Sequence, residues 1–205
     1  MPPLDPPAAP FLPAPTSLPT VDDAALGATL DLLFEPSTAL HALAVPTLRT
    51  TSFASWADVV DGLRAQLLAL AAAVPDDDEA RAPLYAILGA HPRLGEPRTG
   101  PSTAEQAGLR GGAVEEVEEE GRRLAALNQE YEARFPGLRF VVFVNGRGRR
   151  EVMADMRRRI DRGDRREEVR EAIRAMCDIA LDRAGKLPVR AGEEAVAGGE
   201  GERIG

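Results

Sequence analysis

A run of apolar residues at helical spacing constrains the fold more than any other feature of this chain of 205 residues. Its members recur three and four positions apart: Trp56, Val59, Val60, Leu63, Leu67, Leu70 and Val74. This spacing places them on one face of an amphipathic α-helix, and Ser55 is suited to cap its first turn. The run therefore predicts a strong helix with one apolar side.

Helices are also predicted along most of the remaining chain. A short helix after Ser37 is expected to stop near Pro46, because proline interrupts a helix. Further helices are expected at about residues 76–90, 103–135, 149–162 and 164–184. Only Phe140 to Val144 has strong β-propensity, and no partner strand is evident, so it is expected to be a buried extended segment. Aromatic residues make up 4% of the chain, and a core of Leu, Val, Ile and Ala favours helices. The predicted fold class is all-α, a compact helical bundle with one short extended segment.

Composition divides the chain into three parts. Residues 1–19 are rich in proline and are expected to form a disordered or polyproline-like arm. Residues 20–188 are the expected folded domain. Residues 189–205 are rich in Gly and Glu and are expected to be a flexible tail.

Charge and cysteine content exclude several classes of protein. The net charge of −8 argues against nucleic acid as the main partner. The single cysteine, Cys177, cannot form an internal disulfide or a cysteine-rich metal site, and its place near an apolar stripe predicts a small core residue. The N-terminal residues do not have the pattern typical of a signal peptide, and no apolar run has the length expected of a membrane span. An intracellular, by default cytoplasmic, location is expected. A peroxisomal one stays open, although the chain does not end in Ser-Lys-Leu.

The two histidines differ in their expected roles. His41 lies within a short apolar helix and is expected to be structural. His91 opens the loop His91-Pro92-Arg93-Leu94-Gly95, and Pro92 disfavours helical geometry at the residue before it. His91 should therefore stand at a helix C-terminus, which would raise the pKa of its imidazole slightly. It is either a helix cap or an acid–base residue.

Two further positions allow both a structural and a functional interpretation. Ser102 and Glu105 form a Ser-x-x-Glu capping box, but the same helix N-terminus, with the amide of Gln106, could bind a polar ligand. Arg183 continues the apolar stripe of the last helix, so it either contacts an anion or several acceptors, or extends to solvent at the helix end.

Taken together, these segments resemble one family, the 2-oxo-4-hydroxy-4-carboxy-5-ureidoimidazoline (OHCU) decarboxylases, over about residues 22–187. His91-Pro92-Arg93-Leu94 is similar to the family's His-Pro-x-Leu motif, and residues 102–109 resemble its Ser-x-x-Glu-Gln-x-x-Gly segment, with Gly108 one position before the glycine of that pattern. Residues 127–135 match Leu-Asn-x-x-Tyr-x-x-Arg-Phe, and residues 140–142 match the apolar stretch that follows. Residues 33–37 and 144–147 look like the fungal branch, in which the roles of Asn145 and Arg147 stay open.

The resemblance implies a homodimeric carboxy-lyase of urate breakdown that makes (S)-allantoin without a metal or organic cofactor. It implies His91 and Glu105 as catalytic residues. It implies substrate-binding roles for Pro92, Ser102, Gln106, Phe140, Val141, Val142, Phe143, Val144 and Arg183. The expected partner is a small ureidoimidazoline, with neither nucleic acid nor a membrane. Two alternatives stay open: a non-catalytic helical interaction module, and a related enzyme acting on a different ureide.

Overall fold

The computed structural model describes residues 10–73, 78–95 and 114–190, and the α-helices dominate this part of the chain. Their bounds are Asp23–Leu33 (α1), Thr38–Thr50 (α2), Trp56–Ala73 (α3), Asp78–Leu88 (α4), Val114–Arg134 (α5), Arg149–Arg162 (α6) and Arg165–Lys186 (α7). A 3-10 helix, Pro15–Thr20, precedes α1. The all-α prediction is confirmed.

Polar residues cap the first turns of two helices, and Ser55 does so as the sequence predicts. The Ser55 hydroxyl accepts a hydrogen bond from the Asp58 N–H at 3.1 Å, at the start of α3. The Asp164 carboxylate accepts one from the Glu167 N–H at 3.0 Å, at the start of α7. Each side chain satisfies a backbone donor that the first helical turn leaves unpaired.

The core lies between α3 and α7, which contact each other more extensively than the other elements of the described chain. The apolar face of α3 is buried, as its spacing predicts. Helix α1 also packs against α7, while α5 packs against α6. Helix α7 carries Arg183 into the interior, and α5 supports the loop that begins at His91.

Helix α2 does not stop near Pro46, so that expectation is wrong. The helix runs on to Thr50, and Leu40, Ala44 and Leu48 are buried on both sides of the proline. Proline removes one backbone donor from a helix, and its ring crowds the preceding turn. Burial of a continuous apolar stripe offsets this cost.

The predicted disorder of the two ends is wrong for residues 10–19 and 189–190. Leu12–Pro13 (β1) pairs in parallel with Val189–Arg190 (β2). Leu12 and Leu18 are fully buried, and the Trp56 indole donates to the Pro13 carbonyl at 3.2 Å. Proline fits here because the arm contributes apolar side chains and carbonyl acceptors, and Pro15 begins the 3-10 helix, where its missing N–H costs no hydrogen bond.

The domain limits at residues 20 and 188 remain a prediction, and residues 1–9 and 191–205 lie outside the described chain. No helix within the described ranges is both long and apolar enough to cross a lipid bilayer.

Candidate functional site

His91 lies just beyond the end of α4, as predicted. The helix ends at Leu88, and Gly89 and Ala90 form a turn before the histidine. The residue is only 6% exposed, and neither ring nitrogen has a hydrogen-bond partner in the described chain. A capping histidine would donate to a helix carbonyl, so the capping interpretation of His91 is wrong. A buried imidazole with no partner is instead suited to exchange a proton with a ligand.

The expected rise in the pKa of His91 is also wrong. Burial lowers this pKa to about 4, the Glu35 carboxylate opposes the shift, and the Arg183 guanidinium adds to it. Loss of solvation disfavours the charged imidazolium more than a helix C-terminus favours it. His91 is therefore neutral at pH 7, a state in which one ring nitrogen can accept a proton.

Arg183 is held in the interior by acceptors, which supports the first of its two interpretations. Its guanidinium donates to the Leu33 carbonyl at 3.1 Å and to Oε1 of Glu35 at 3.0 Å. The side chains of Arg183 and Glu35 are only 7% and 11% exposed. An arginine that extended to solvent would not show this burial, so that alternative is excluded.

Glu35 is the site residue that the sequence reasoning missed. It lies between α1 and α2 and joins Arg183 and His91 in one electrostatic cluster, since both charges act on the imidazole. Its segment, residues 33–37, resembles the fungal branch of the family, and that resemblance assigns no role to Glu35. The sequence signal for Glu35 is an acidic residue that directly follows two apolar residues, Leu33 and Phe34.

Helix α5 anchors the loop that His91 opens. The buried Asn128 amide donates to the Leu94 carbonyl at 3.0 Å. The Glu132 carboxylate accepts two hydrogen bonds from Arg93, at 2.6 and 2.7 Å, and these bonds are the main cause of its lowered pKa. Gly95 of this loop has a φ of 86°, and a Cβ there would stand 2.8 Å from a side-chain atom of Leu124. The Asn of the Leu-Asn-x-x-Tyr motif therefore holds the His-Pro-x-Leu motif in place.

The same helix supports the apolar segment from Phe140 to Val144. The segment is largely buried, and no strand pairs with it in the described chain, as the sequence predicts. Glu132 contacts Arg139, which precedes the segment, as well as Arg93 of the histidine loop. The Glu132 carboxylate thus links the histidine loop to the segment from Phe140 to Val144.

Arginines hold the carbonyl groups of this segment. Arg159 donates to the Val141 carbonyl at 3.0 Å, while Arg147 donates to the Phe143 carbonyl and, at 3.3 Å, to that of Val144. The hydrogen bonds within the described chain use none of the backbone N–H groups of residues 140–144. Buried backbone donors are nearly always paired in proteins, so these groups are suited to bind the acceptor atoms of a ligand.

The family profile that matches this sequence is that of OHCU decarboxylase, over residues 19–185. The chain belongs to the OHCU decarboxylase family. Membership makes it a decarboxylating lyase of urate and purine degradation, and the all-α fold agrees. None of the curated proteins matches the sequence.

The predicted site residues of this chain fall into two groups. The structure brings His91, Pro92 and Arg183 together with Glu35 in the interior. Glu132 contacts both Arg93 of the histidine loop and Arg139, which precedes residues 140–144. Ser102, Glu105 and Gln106 lie outside the described residues, so their roles stay predictions. The described ranges hold no group of three His, Cys, Asp or Glu side chains that could bind a metal ion.

The other two residues weighed from the sequence have structural contacts. His41 lies 2.7 Å from Asp31, and this contact joins α2 to α1, as its structural interpretation predicts. Cys177 is fully buried, and loss of solvation raises the pKa of its thiol to about 11. A thiol with that pKa is inert at neutral pH, in keeping with a core residue.

A cavity of about 240 Å³ lies on another side of the histidine loop. Its walls include Arg93, Leu94 and Gly95 of the loop, and Leu124 and Asn128 of α5. His91 is not part of its lining.

Proposed function

We propose that this protein converts OHCU to (S)-allantoin without a metal or organic cofactor. The observation that carries the proposal is the buried, neutral imidazole of His91, beside the ion pair of Glu35 and Arg183. Family membership supplies the reaction class, and this cluster supplies groups that can bind an anion and transfer a proton.

The reaction requires one proton to leave an oxygen and another to reach a specific carbon. OHCU carries a hydroxyl and a carboxylate on the same ring carbon, and allantoin has a carbonyl there. When the bond to the carboxylate breaks, carbon dioxide leaves and the electron pair moves through the adjacent carbon to the ring nitrogen. The hydroxyl proton must then leave, and the adjacent carbon must gain a proton. A proton from solvent neutralises the ring nitrogen.

Neutral His91 can perform both transfers. Its free ring nitrogen accepts the hydroxyl proton, and the imidazolium so formed delivers a proton to the adjacent carbon. A fixed imidazole delivers this proton to one face of the planar intermediate, so a single enantiomer of allantoin results. The low pKa of His91 favours rapid release of the proton to carbon.

The remaining residues bind and orient the substrate. Arg183 can hold an anionic or carbonyl group of the substrate with its planar guanidinium. Glu35 fixes the direction of this guanidinium through their hydrogen bond. Backbone donors from Phe140 to Val144 can bind oxygen atoms at the polar edges of the ring and the ureido group. Glu105 would orient the imidazole or accept from the ureido N–H groups, with Ser102 and Gln106 beside it.

We further propose a homodimer of the fungal-type branch that works inside the cell. Residues 33–37 and 144–147 support the branch. The proposal assigns no role to nucleic acid or to a membrane.

The proposed activity is tested with freshly prepared OHCU in buffer that contains EDTA. We expect the protein to accelerate the loss of OHCU and to release carbon dioxide in equal amount. Decay at the spontaneous rate would favour the alternative of a non-catalytic helical interaction module. A rate that depends on an added divalent ion would contradict the cofactor-free mechanism.

A further inference from the structure

A buried ionic cluster packs against the segment from Phe140 to Val144. At its centre is the fully buried Glu168 carboxylate of α7. Its Oε1 atom accepts from the Tyr131 hydroxyl at 2.5 Å and from Nη2 of Arg159 at 2.5 Å. Its Oε2 atom accepts from Arg162 at 3.1 Å. Two arginines and one tyrosine thus converge on a single carboxylate.

Only one of the two arginines continues to the segment. Nη1 of Arg159 donates to the Val141 carbonyl at 3.0 Å, and its guanidinium lies 4.6 Å from the centre of the Phe140 ring. Tyr131 packs edge-on against the same ring, at 5.4 Å between ring centres. Arg162 instead turns to Glu171, to which it donates at 2.6 Å.

The hydrogen bond from Arg159 fixes the direction of a backbone donor. The described chain has no cis peptide bonds, so the carbonyl of Val141 and the N–H of Val142 point in opposite directions across one planar unit. The carbonyl points to Arg159, and the N–H therefore points away from the cluster. That N–H takes part in none of the hydrogen bonds within the described residues.

Stability alone does not account for such a cluster. Well-packed apolar residues often serve a core as well as a buried ion pair does, because removing charges from water is costly. The segment also lacks a partner strand that could fix its backbone. Arg159 provides a rigid, planar donor that bonds a carboxylate with one edge and a carbonyl with another.

We propose that Arg159, held by Glu168 and Tyr131, is a positioning residue that aims the Val142 N–H at an oxygen atom of the substrate. This inference rests on the proposed function, because it assigns the Val142 N–H to the ureidoimidazoline. Arg159 itself does not touch the substrate. Its effect is on substrate binding, while proton transfer stays with His91.

The test compares two conservative substitutions around one carboxylate, Arg159→Lys and Arg162→Lys. Both keep a positive charge beside Glu168, but only the first removes the hydrogen bond to Val141, since lysine lacks the planar fork. We expect Arg159→Lys to raise KM for OHCU roughly three- to tenfold, the range for one neutral hydrogen bond, with kcat within about twofold. Arg162→Lys should leave both constants within about twofold of wild type. Equal effects of the two substitutions on KM would overturn the proposal.

A double variant separates positioning from stability. Arg159→Met with Glu168→Met removes both charges and fills similar volume, so the fold should persist even if Arg159→Lys does not fold. We expect this folded variant to show the same rise in KM as Arg159→Lys. A double variant with the KM of the wild type would show that the cluster serves only the core, and would overturn the proposal.

The NMR order parameter of the Val142 amide keeps this test independent of the proposed function. Wild-type protein that does not turn over OHCU contradicts the proposed function itself. In ligand-free protein, we expect the order parameter of the Val142 N–H to be about 0.85 in the wild type and in Arg162→Lys, and to fall below about 0.6 in Arg159→Lys, because the peptide plane is released. Equal order parameters in the two variants would contradict the positioning role whatever the activity of the wild type.

Discussion

Arg183 donates a hydrogen bond to Glu35 at 3.0 Å, and both charges act on the imidazole of His91. Because the two charges oppose each other at the imidazole, burial decides its protonation state. The ion pair thus places a guanidinium beside a neutral base. This combination can bind an anion and accept a proton at the same pH.

The low pKa of His91 predicts an acidic limit for activity. If the neutral imidazole is the working base, kcat/KM should stay level from about pH 8 down to about pH 5.5, since protonation has hardly begun there. It should fall as the pH drops through about 4, where the free enzyme gains the proton on His91. Initial rates across this range check the prediction. An inflection near the ordinary histidine pKa of about 6.5 would contradict it.

Removing the Glu35 charge should weaken the fold more than removing a surface charge. Glu35→Ala leaves Arg183 buried without its carboxylate, and we expect a loss of about 3–5 kcal/mol in the free energy of unfolding. Glu35→Gln retains an acceptor oxygen and should cost about 1–3 kcal/mol. Urea unfolding measures both changes.

Asp178→Asn is the matched control for these variants. It breaks the ion pair with Arg64, whose N···O distance is 2.9 Å and whose side chains are more exposed. A loss below about 1 kcal/mol is expected for such a pair. If Glu35→Ala costs no more than this control, the ion pair does not anchor Arg183.

Asn128 should matter because it ties the histidine loop to α5. Asn128→Ala leaves the Leu94 carbonyl without the amide that donates to it at 3.0 Å, and we expect a loss of about 1–3 kcal/mol in stability. The exposed neighbour Gln129→Ala should change stability by less than about 0.5 kcal/mol. Thermal unfolding compares the two variants. Equal melting temperatures would argue against this anchor.

Glu105 lies outside the described residues. The turnover and melting temperature of Glu105→Gln test whether its carboxylate acts in catalysis or only in capping. Glu105→Gln can still complete a capping box with Ser102, because Glu and Gln both serve in that motif. If the carboxylate acts in the reaction, turnover should fall by roughly 10²–10⁴-fold while the melting temperature hardly changes. Turnover near that of the wild type would make Glu105 a cap alone.

Local sequence signals predicted the helices and two of the site residues. Apolar spacing predicted α3 and α7, and Pro92 predicted the break after His91. The place of Arg183 on an apolar stripe indicated either a buried side chain held by acceptors or one that extends to solvent. Each of these signals depends on neighbours within a few positions.

Features that depend on distant parts of the chain could not be predicted in this way. Leu12 pairs with Val189 from the opposite end of the chain, and no local pattern at the proline-rich arm indicates this. Glu35 looks like an ordinary acidic loop residue until Arg183 of α7 is placed against it. The direction of the His91 pKa shift follows from burial, which the tertiary fold creates.

The optical activity of the allantoin formed by the wild type and by His91→Ala tests the central claim most directly, that His91 transfers the proton that sets the stereochemistry. We predict (S)-allantoin alone from the wild type and from the control His41→Ala. His91→Ala should fold, lose roughly 10²–10⁴-fold in rate and yield racemic allantoin by spontaneous decay. Rapid formation of pure (S)-allantoin by His91→Ala would contradict the account.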